Sequence, residues 1–318
     1  MNKGFWEKLK KPIFALAPMH DVTDAAFRHL IADIAKPDIL FTEFVAVDGL
    51  VHSASREKMI QHYLRYDEIE RPLVAQIWGS NPQYFYESAQ LIESLGFDGI
   101  DINMGCPDKQ VVKLGGGAAL MQNPSLAIEI IKATQGGTTL PISIKTRIGF
   151  NEIDLSFLQK VSDMMPVAIT IHGRTKKEMS SVPTHWDVIA RITPEIQEKG
   201  ILVLGNGDIS SYQDAEEKVK LSGVDGVMIG RGVFGNPWIF LKEAKRVSLR
   251  DKLMVLQHHL ELFEKTFRGT KNFSVIKKHV RGYVHGFDGA KEIRNEIVNS
   301  KTAEEMKGAI ERAIASNR

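Results

Sequence analysis

Residues 201–208 read Ile-Leu-Val-Leu-Gly-Asn-Gly-Asp, and residues 226–232 read Gly-Val-Met-Ile-Gly-Arg-Gly. In each stretch a short apolar run passes directly into a glycine-rich, polar end, which is typical of a buried parallel strand followed by a turn. The loops after the last two strands of a (β/α)8 barrel commonly form a phosphate site. The two stretches therefore predict such a barrel with a phosphate site at one end, although each glycine motif alone also fits an ordinary tight turn.

Six similar runs precede these two at intervals of about 25–45 residues. Helical patterns such as Pro82–Leu95 and Pro124–Gln135 lie between them. Eight alternating units favour a closed TIM barrel of the α/β class over an open doubly wound sheet. An open dinucleotide-binding sheet would carry G-x-G-x-x-G after its first strand, where this chain has Ala17-Pro18-Met19-His20. The predicted strands are Ile13–Pro18, Ile39–Phe44, Leu73–Gly79, Gly99–Gly105, Ile142–Gly149, Ala168–Arg174, Ile201–Asp208 and Gly226–Gly232.

The strand pattern stops after Phe240, and helical patterns separated by glycines follow. They are long enough for a small all-α helical bundle. We therefore expect two domains, a catalytic barrel over residues 1–240 and a helical domain over residues 241–318. The four predicted helices are Leu249–Phe267, Phe273–His285, Asp288–Val298 and Thr302–Ala315.

Charge is unevenly distributed along the chain, although the net charge is only +2. Residues 241–318 hold 17 Lys/Arg against 10 Asp/Glu, a net of +7, and residues 1–240 hold 24 against 29, a net of −5. A basic module on an acidic body favours a polyanionic partner, and charge alone fits a solvated helical surface equally well. The candidate RNA contacts are Lys277, Lys278 and Arg281, in a cluster that also contains His279.

The composition is that of a globular protein, with 43% hydrophobic and 25% charged residues. No apolar run approaches the roughly 20 residues of a membrane span, and the first residues lack the apolar core of a signal peptide. We therefore expect a cytoplasmic protein without membrane contact. The single cysteine, Cys106, excludes internal disulfides, four-cysteine zinc sites and cysteine-ligated iron–sulfur clusters, and we expect no metal.

The predicted strands end in residues that are polar or conformationally special, and the active site of a barrel enzyme lies at these ends. The amide of Gln76, the ammonium of Lys145 and the imidazole of His172 suit the edge of a polar planar ring. A lysine at a strand end is often merely exposed, and a lone histidine is usually structural, so only their joint placement favours ligand contact. Arg231, in the last glycine loop, would add a charge-assisted bond to a phosphate.

Cys106 lies between Gly105 and Pro107 in the loop after the fourth predicted strand. A core cysteine lies more often within an apolar run, so this position favours a chemical role over packing. The next segment, Asp108–Gly117, ends in three glycines and is interpreted as a mobile lid with glycine hinges.

Taken together, seven segments resemble the dihydrouridine synthase family, in family order across the whole predicted barrel. The Asn-x-Gly-Cys-Pro and Ile-His-Gly-Arg-Thr segments are specific, whereas the glycine loops occur in many flavin barrels. The helical tail resembles the RNA-binding domain of the family, and His20 departs from its usual small residue or Glu. The segments are Ala17-Pro18-Met19 with Val22-Thr23-Asp24, Val74–Ile77 with Gly79-Ser80, Asp101–Pro107, Ile144–Gly149, Thr170–Thr175, Gly205–Ile209 and Met228–Gly232.

The resemblance implies FMN as cofactor, NADPH or NADH as reductant and tRNA as partner, with no oligomer required. Reduced FMN would pass a hydride to C6 of uracil, and Cys106 would protonate C5. Asn103, Arg147 and Arg174 would contact the substrate. The residues implied for FMN are Pro18, Met19, His20, Gln76, Lys145, His172, Asn206, Gly207, Asp208, Gly230 and Arg231.

The residues alone leave other classes open. A flavin-dependent dehydrogenase of a small pyrimidine or enone would share the barrel and the flavin site without needing a basic tail. A barrel lyase or isomerase would bind a sugar phosphate and no flavin, so the purified protein would be colourless. An RNA-binding protein on a degenerate barrel would not need Cys106, Lys145 and His172. The modified uridine, the preferred reductant and the oligomeric state also stay open.

Overall fold

A computed structural model describes residues 2–243 and 246–316. The predicted domain ranges also include residues 1, 244–245 and 317–318, which lie outside the described residues. The strands are β1 Ile13–Leu16, β2 Leu40–Phe41, β3 Val45–Ala46, β4 Leu73–Trp78, β5 Gly99–Asn103, β6 Ile142–Arg147, β7 Ala168–His172, β8 Leu202–Asn206 and β9 Gly226–Ile229. The α-helices are α1 Ala25–Ala35, α2 Val47–Val51, α3 Ser53–Tyr63, α4 Pro82–Ser94, α5 Lys109–Lys113, α6 Pro124–Gly137, α7 Ser156–Ser162, α8 Trp186–Glu198, α9 Tyr212–Ser222, α10 Leu249–Phe267, α11 Lys277–Tyr283, α12 Ala290–Asn299 and α13 Ala303–Ser316.

The strands form one parallel sheet in the order β1-β9-β8-β7-β6-β5-β4-β2, and β3 pairs with the far end of β4. A bridge between Ala15 and Ile39 joins β1 to the start of β2, so the sheet is nearly closed. Because β2 and β3 share one position, the sheet has the eight positions of a TIM barrel. The predicted (β/α)8 barrel followed by C-terminal helices is confirmed, whereas a domain boundary at residue 240 stays a prediction.

The seam between β1 and β9 depends on a glycine. Ile13 pairs with Gly226 in register, and a Cβ at residue 226 would lie 2.1 Å from the carbonyl oxygen of Ile13. Glycine is therefore the residue that allows this close approach. At the other end of the seam, the N–H of Ala17 donates to the carbonyl of Ile229 at 2.8 Å, which places the end of β1 beside the end of β9.

The second predicted strand, Ile39–Phe44, is interrupted in the structure. Thr42 replaces a backbone group there: its hydroxyl accepts from the N–H of Gln76 at 3.1 Å and donates to the carbonyl of Glu43 at 2.8 Å. Side-chain bonds of this kind compete with a regular ladder. The chain therefore forms β2, breaks at residues 42–44, and pairs again as β3.

The predicted helix Phe273–His285 is also divided, into a 3-10 helix at Phe273–Ile276 and α11. Asn272 begins this segment, because its side chain accepts from the N–H of Ser274 at 2.9 Å. No helix in the described part of the chain has the length and apolar character that a bilayer span requires.

The C-terminal helices pack on the barrel through α10, which contacts both α1 and α13. At the centre of this interface, the ring of Phe27 lies 5.3 Å from the ring of His259 and 4.6 Å from the ring of His279. Both histidines are buried, and their Nδ1 atoms have no hydrogen-bond partner in the described residues. Barrel and helices therefore share an apolar interface that contains two imidazoles.

We predict that protonation of these two imidazoles destabilises the fold in acid. Burial lowers the pKa of His259 to about 3 and the pKa of His279 well below its usual value of 6.5. The unfolded chain therefore binds protons below pH 6.5 that the folded chain does not bind, so stability falls as pH decreases from 6.5 towards 3. At pH 5 each histidine should lower the free energy of unfolding by about 2 kcal/mol relative to pH 7.

Urea unfolding at pH 7 and pH 5 measures this effect in wild type and in a His259→Phe/His279→Phe variant. The wild type should lose more stability than the variant between the two pH values, since the carboxyl groups titrate alike in both. His285 is exposed on the same segment, so His285→Phe is the matched control and should follow the wild type. Equal losses in wild type and the double variant would contradict the prediction.

Candidate active site

The register of the sheet places the predicted polar residues side by side at one mouth of the barrel. Asn103 of β5 pairs with Lys145 of β6, and His172 of β7 pairs with both Arg147 of β6 and Asn206 of β8. Because the strands are parallel, their carboxyl ends face the same side. Four neighbouring strands therefore present two amides, two cations and an imidazole to one space.

That space is a cavity of about 770 Å³, which we call the first cavity. Its size is within the range usual for small-molecule and cofactor sites. The sequence-predicted residues that line it are Pro18, Met19, Gln76, Asn103, Cys106, Lys145, Arg147, His172, Asn206, Gly207, Asp208, Gly230 and Arg231. Two other predicted site residues, His20 and Arg174, do not line it.

A chain of hydrogen bonds connects a buried carboxylate to the loop that carries Cys106. The side chain of Gln76 donates to Asp101 at 2.6 Å and accepts from the side chain of Asn103 at 2.9 Å. The Asn103 side-chain oxygen then accepts from the N–H groups of Gly105 and Cys106, at 3.1 and 2.9 Å. Since Asp101 is an acceptor, it fixes which way both amides point, and through them it positions Cys106.

Asp101 is completely buried and also accepts from the Ser143 hydroxyl at 2.6 Å. Burial raises the pKa of Asp101 to about 6, so it is mostly ionised at pH 7. A buried carboxylate is stable only when it is hydrogen-bonded, and the bonds from Ser143 and Gln76 meet that need. The sequence-based predictions give Asp101 no role, although it begins the segment Asp101–Pro107 that resembles the family.

Arg147 holds the Cys106 loop from the other side. Its Nε donates to the carbonyl of Gly105 at 2.7 Å, and its Nη1 donates to the carbonyl of Thr175 at 3.2 Å. Burial raises the pKa of the Cys106 thiol above its ordinary value, so the thiol stays protonated at neutral pH. The loop therefore presents a half-buried S–H group to the first cavity.

The glycines of the segment predicted to be a lid are needed for close packing. The N–H of Ala118 donates to the carbonyl of Cys106 at 3.0 Å, and a Cβ at Gly117 would lie 2.9 Å from that same oxygen. A Cβ at Gly116 would lie 2.9 Å from the Trp78 ring. Gly117 is buried against the Cys106 loop and Gly116 is buried against the end of β4, so packing explains both glycines without a hinge.

Lys145 and His172 differ in charge at neutral pH. Burial, and next the charge of Arg147, lower the pKa of Lys145 to about 8, and its Nζ donates to the Asn206 side-chain oxygen at 3.2 Å. Burial lowers the pKa of His172 far below its usual value, so its ring is neutral. The Nη1 of Arg174, which can only donate, contacts His172 Nε2 at 3.4 Å, which leaves Nδ1 as the protonated nitrogen.

Asp208 bridges two arginines at the glycine-rich side of the first cavity. Its carboxylate accepts from Arg174 and, at 2.9 Å, from Arg231. Arg174 is buried behind this carboxylate, whereas the side chain of Arg231 is 61% exposed. Arg174 therefore orients Asp208 and His172 from behind, and Arg231 presents its charge at the mouth.

His20 lines a second cavity, of about 560 Å³, beside the first. The N–H of the next residue, Asp21, donates to Glu43 at 2.5 Å, and His20 lies 3.8 Å from the same carboxylate. The residues that line the second cavity are His20, Phe44, Val45, Ala46, Met59, Tyr63, Trp78, Asp108, Gln110 and Val111.

His20, Asp21 and Glu43 bring three potential metal-ligand atoms within 4.8 Å of one another. Two lysines from the C-terminal segment already pair with these carboxylates: Lys271 lies 3.1 Å from Glu43, and Lys278 lies 3.0 Å from Asp21. The cluster is therefore an ion-pair network between the barrel mouth and the C-terminal segment. Burial raises the pKa of Glu43 to about 7, which Lys271 opposes.

The predicted RNA contacts lie in different environments. Lys277 is half-buried and donates to the carbonyl of Ser300 at 2.6 Å, and His279 belongs to the apolar interface described above. Lys278 and Arg281 are exposed. Among the residues of this cluster, these two therefore offer charge to a partner most directly.

Several residues of the first cavity were not predicted from the sequence. Except for Met228 of β9, they lie outside the strands, on segments whose path does not follow from strand or helix periodicity. Met179 is an example: it has a φ of 55°, is exposed, and its carbonyl accepts from Arg147 at 3.4 Å. The residues that sequence reasoning missed are Ala17, Phe44, Gly105, Pro107, Met179, Ser180, Ile209, Ser210, Met228, Gly232, Phe234 and Asn236.

The barrel, the cavity at its strand ends and the loop thiol are the features of a TIM-barrel enzyme. The family described as Dihydrouridine synthase (Dus) matches residues 15–318. The chain belongs to the dihydrouridine synthase family.

Full-length relatives are similar to this chain. A "Probable tRNA-dihydrouridine synthase" of Staphylococcus aureus (strain MRSA252) is 39% identical over 317 residues, which cover 98% of this chain and 96% of the relative. One of Staphylococcus epidermidis (strain RP62A) is 40% identical over 313 residues, covering 96% and 95%. The "Probable tRNA-dihydrouridine synthase 2" of Bacillus subtilis (strain 168) is 37% identical over 317 residues, covering 98% and 97%.

We predict that the direction of the hydrogen-bond chain, set by Asp101, controls the Cys106 loop. In Asp101→Ala the side chain of Gln76 loses the acceptor that fixes its direction, so Asn103 is no longer held and the Cys106 N–H loses its partner part of the time. An unpaired buried N–H costs about 1–3 kcal/mol, so the loop should open more often and the thiol should be alkylated about 5-fold faster or more.

Alkylation kinetics at pH 8 measure this without ambiguity, because Cys106 is the sole thiol of the sequence. The double variant Asp101→Asn/Gln76→Glu is the matched control. A carboxylate at residue 76 accepts from both neighbouring amides, so it restores the original direction and should restore slow alkylation. Unchanged alkylation in Asp101→Ala, or no rescue in the double variant, would show that the hydrogen-bond chain does not position Cys106.

Proposed function

We propose that this protein is a tRNA-dihydrouridine synthase, which reduces the C5–C6 double bond of uridine in tRNA. One observation carries the proposal beyond family membership: the protonated thiol of Cys106 lies at the edge of a cavity whose other donors suit a flavin. The names of the full-length relatives support the choice of tRNA as substrate.

The donor set of the first cavity fits FMN. Three side chains suit the edge of a polar ring: the amide of Gln76, the cation of Lys145 and the neutral imidazole of His172. Lys145 and His172 lie on the adjacent strands β6 and β7. The glycine loops with Gly207 and Gly230 offer backbone N–H groups, and Arg231 offers a guanidinium, to a phosphate. Pro18, Met19, Asn206 and Asp208 complete the proposed binding site.

When bound and reduced by NADPH or NADH, FMN supplies the hydride. Lys145 is largely protonated at pH 7 and would stabilise negative charge on the reduced flavin. The remaining requirement is a proton at C5 of uracil. Cys106 meets it, because burial keeps its thiol protonated and two hydrogen-bonded neighbours hold its loop.

The base must leave the tRNA stack to reach this mouth, which costs a few kcal/mol. Phosphate contacts from the basic C-terminal segment offset that cost. We propose that residues 241–318 act as the tRNA-binding domain and that Lys278 and Arg281 are direct contacts. Lys277 contributes to the positive field while it ties α11 to residue 300. A cytoplasmic location agrees with a tRNA substrate.

In Cys106→Ala we expect normal folding, a yellow protein and wild-type reduction of the flavin by NADPH, because that half-reaction needs no proton from the thiol. Oxidation of the reduced flavin by tRNA should slow by about 10²–10⁴-fold, the usual contribution of a positioned general acid. Anaerobic stopped-flow absorbance measures both half-reactions. If the tRNA step ran at wild-type speed, Cys106 would not be the acid.

In Lys278→Ala/Arg281→Ala we expect weaker tRNA binding and a shallower salt dependence, by about one unit of slope for each lost phosphate contact. Flavin content should not change. Lys36, exposed just before β2 at the opposite end of the barrel, gives the control Lys36→Ala. Binding titrations from low to high salt measure this slope. If the salt dependence of tRNA binding equalled that of the control, neither residue would contact the RNA.

A further inference from the structure

The second cavity adjoins the first. Phe44 lines both cavities. Chain neighbours divide between them: Met19 and Pro107 line the first, whereas His20 and Asp108 line the second. The wall between the two cavities is therefore one or two residues thick. A chain molecule with one unit in the first cavity has its next unit within reach of the second.

The lining of the second cavity suits a planar ring. Phe44, Tyr63 and Trp78 are half-buried aromatic side chains, so part of each ring stays accessible. The imidazole of His20 is stacked on Tyr63, with ring centroids 5.8 Å apart and an interplanar angle of 20°, and it is 48% exposed. Aromatic side chains of this kind bind bases by stacking, with little dependence on sequence.

Cations and carboxylates both surround His20, and one of the cations is exposed. Lys271 and Lys278 act on its ring, as do the carboxylates of Asp21 and Asp108. Lys271 is buried between acidic partners, but the side chain of Lys278 is 49% exposed beside Asp21. An exposed cation at the edge of an aromatic cavity matches a nucleotide, which has a planar base and a phosphate.

We propose that the second cavity binds a base adjacent to the target uridine in the RNA strand, and that His20 and Tyr63 are its stacking partners. This inference rests on the proposed function. Extrusion of the target base removes a stacking partner from each neighbouring base. The second cavity replaces that partner, so it lowers the cost of presenting the uridine to Cys106.

The test compares Tyr63→Leu and His20→Ala with wild type, after mass spectrometry has located the reduced uridine. Tyr84 is half-buried and lines neither cavity, so Tyr84→Leu is the matched control. The substrates are the intact tRNA transcript and transcripts with an abasic site on the 5′ or the 3′ side of that uridine. The readout is the second-order rate at which each tRNA oxidises the pre-reduced flavin, with NADPH reduction measured separately.

Both variants should react about 10-fold more slowly than wild type with intact tRNA, the scale of one lost base stack. One abasic transcript should slow the wild type by a similar factor and should slow the variants no further. NADPH reduction should match the wild type. Because the His20 ring is half-exposed, His20→Ala gives a folded variant should Tyr63→Leu lose stability.

Three results would overturn the proposal. Wild-type rates in both variants would show that the cavity binds no base. Equal additional slowing of variants and wild type by each abasic transcript would show that the lost base lies elsewhere. Slower NADPH reduction in the variants would assign the cavity to the reductant ring. If no tRNA oxidised the reduced flavin of the wild-type protein, that result would instead refute the proposed function, and the proposed base site with it.

Discussion

The pairing of β1 with β9 joins the first and last strands of the chain, and the site depends on it. In an open parallel sheet the polar strand ends would lie along a line, with Met19 and Arg231 at opposite edges. Closure brings them to one mouth, and Gly226 allows closure because any side chain there would overlap Ile13. The ring of donors is therefore a consequence of backbone approach at a single position.

The buried carboxylate of Asp101 sets the donor–acceptor direction of the hydrogen-bond chain in the site. A hydrogen-bonded amide can point either way, and a donor–acceptor error in a buried chain leaves a polar group unpaired. An ionised carboxylate only accepts, so it fixes Gln76, then Asn103, and finally the backbone of Cys106. The direction of these hydrogen bonds, as well as packing, therefore positions the Cys106 thiol. For this reason Asp101 affects the thiol although it is remote from the substrate.

The barrel and most of its polar lining could be predicted because they follow from periodicity: apolar runs give strands, and strand ends give the mouth. Side-chain direction is not fixed in that way, so His20 lies in the neighbouring cavity and Arg174 lies behind Asp208. His279 shares a helical face with Ile276 and Tyr283, at spacings of three and four residues, so helical periodicity predicts its burial. The prediction of a basic cluster at residues 277–281 counted charged residues and did not use this spacing.

The proposed activity of this protein is the addition of two hydrogens to a uridine of tRNA. Mass spectrometry of an unmodified tRNA transcript, incubated with the purified protein and NADPH, is the direct test. We expect one uridine to gain 2 Da with wild type, and to do so far more slowly with Cys106→Ala. Unchanged tRNA from a wild-type preparation whose flavin is reduced by NADPH would contradict it.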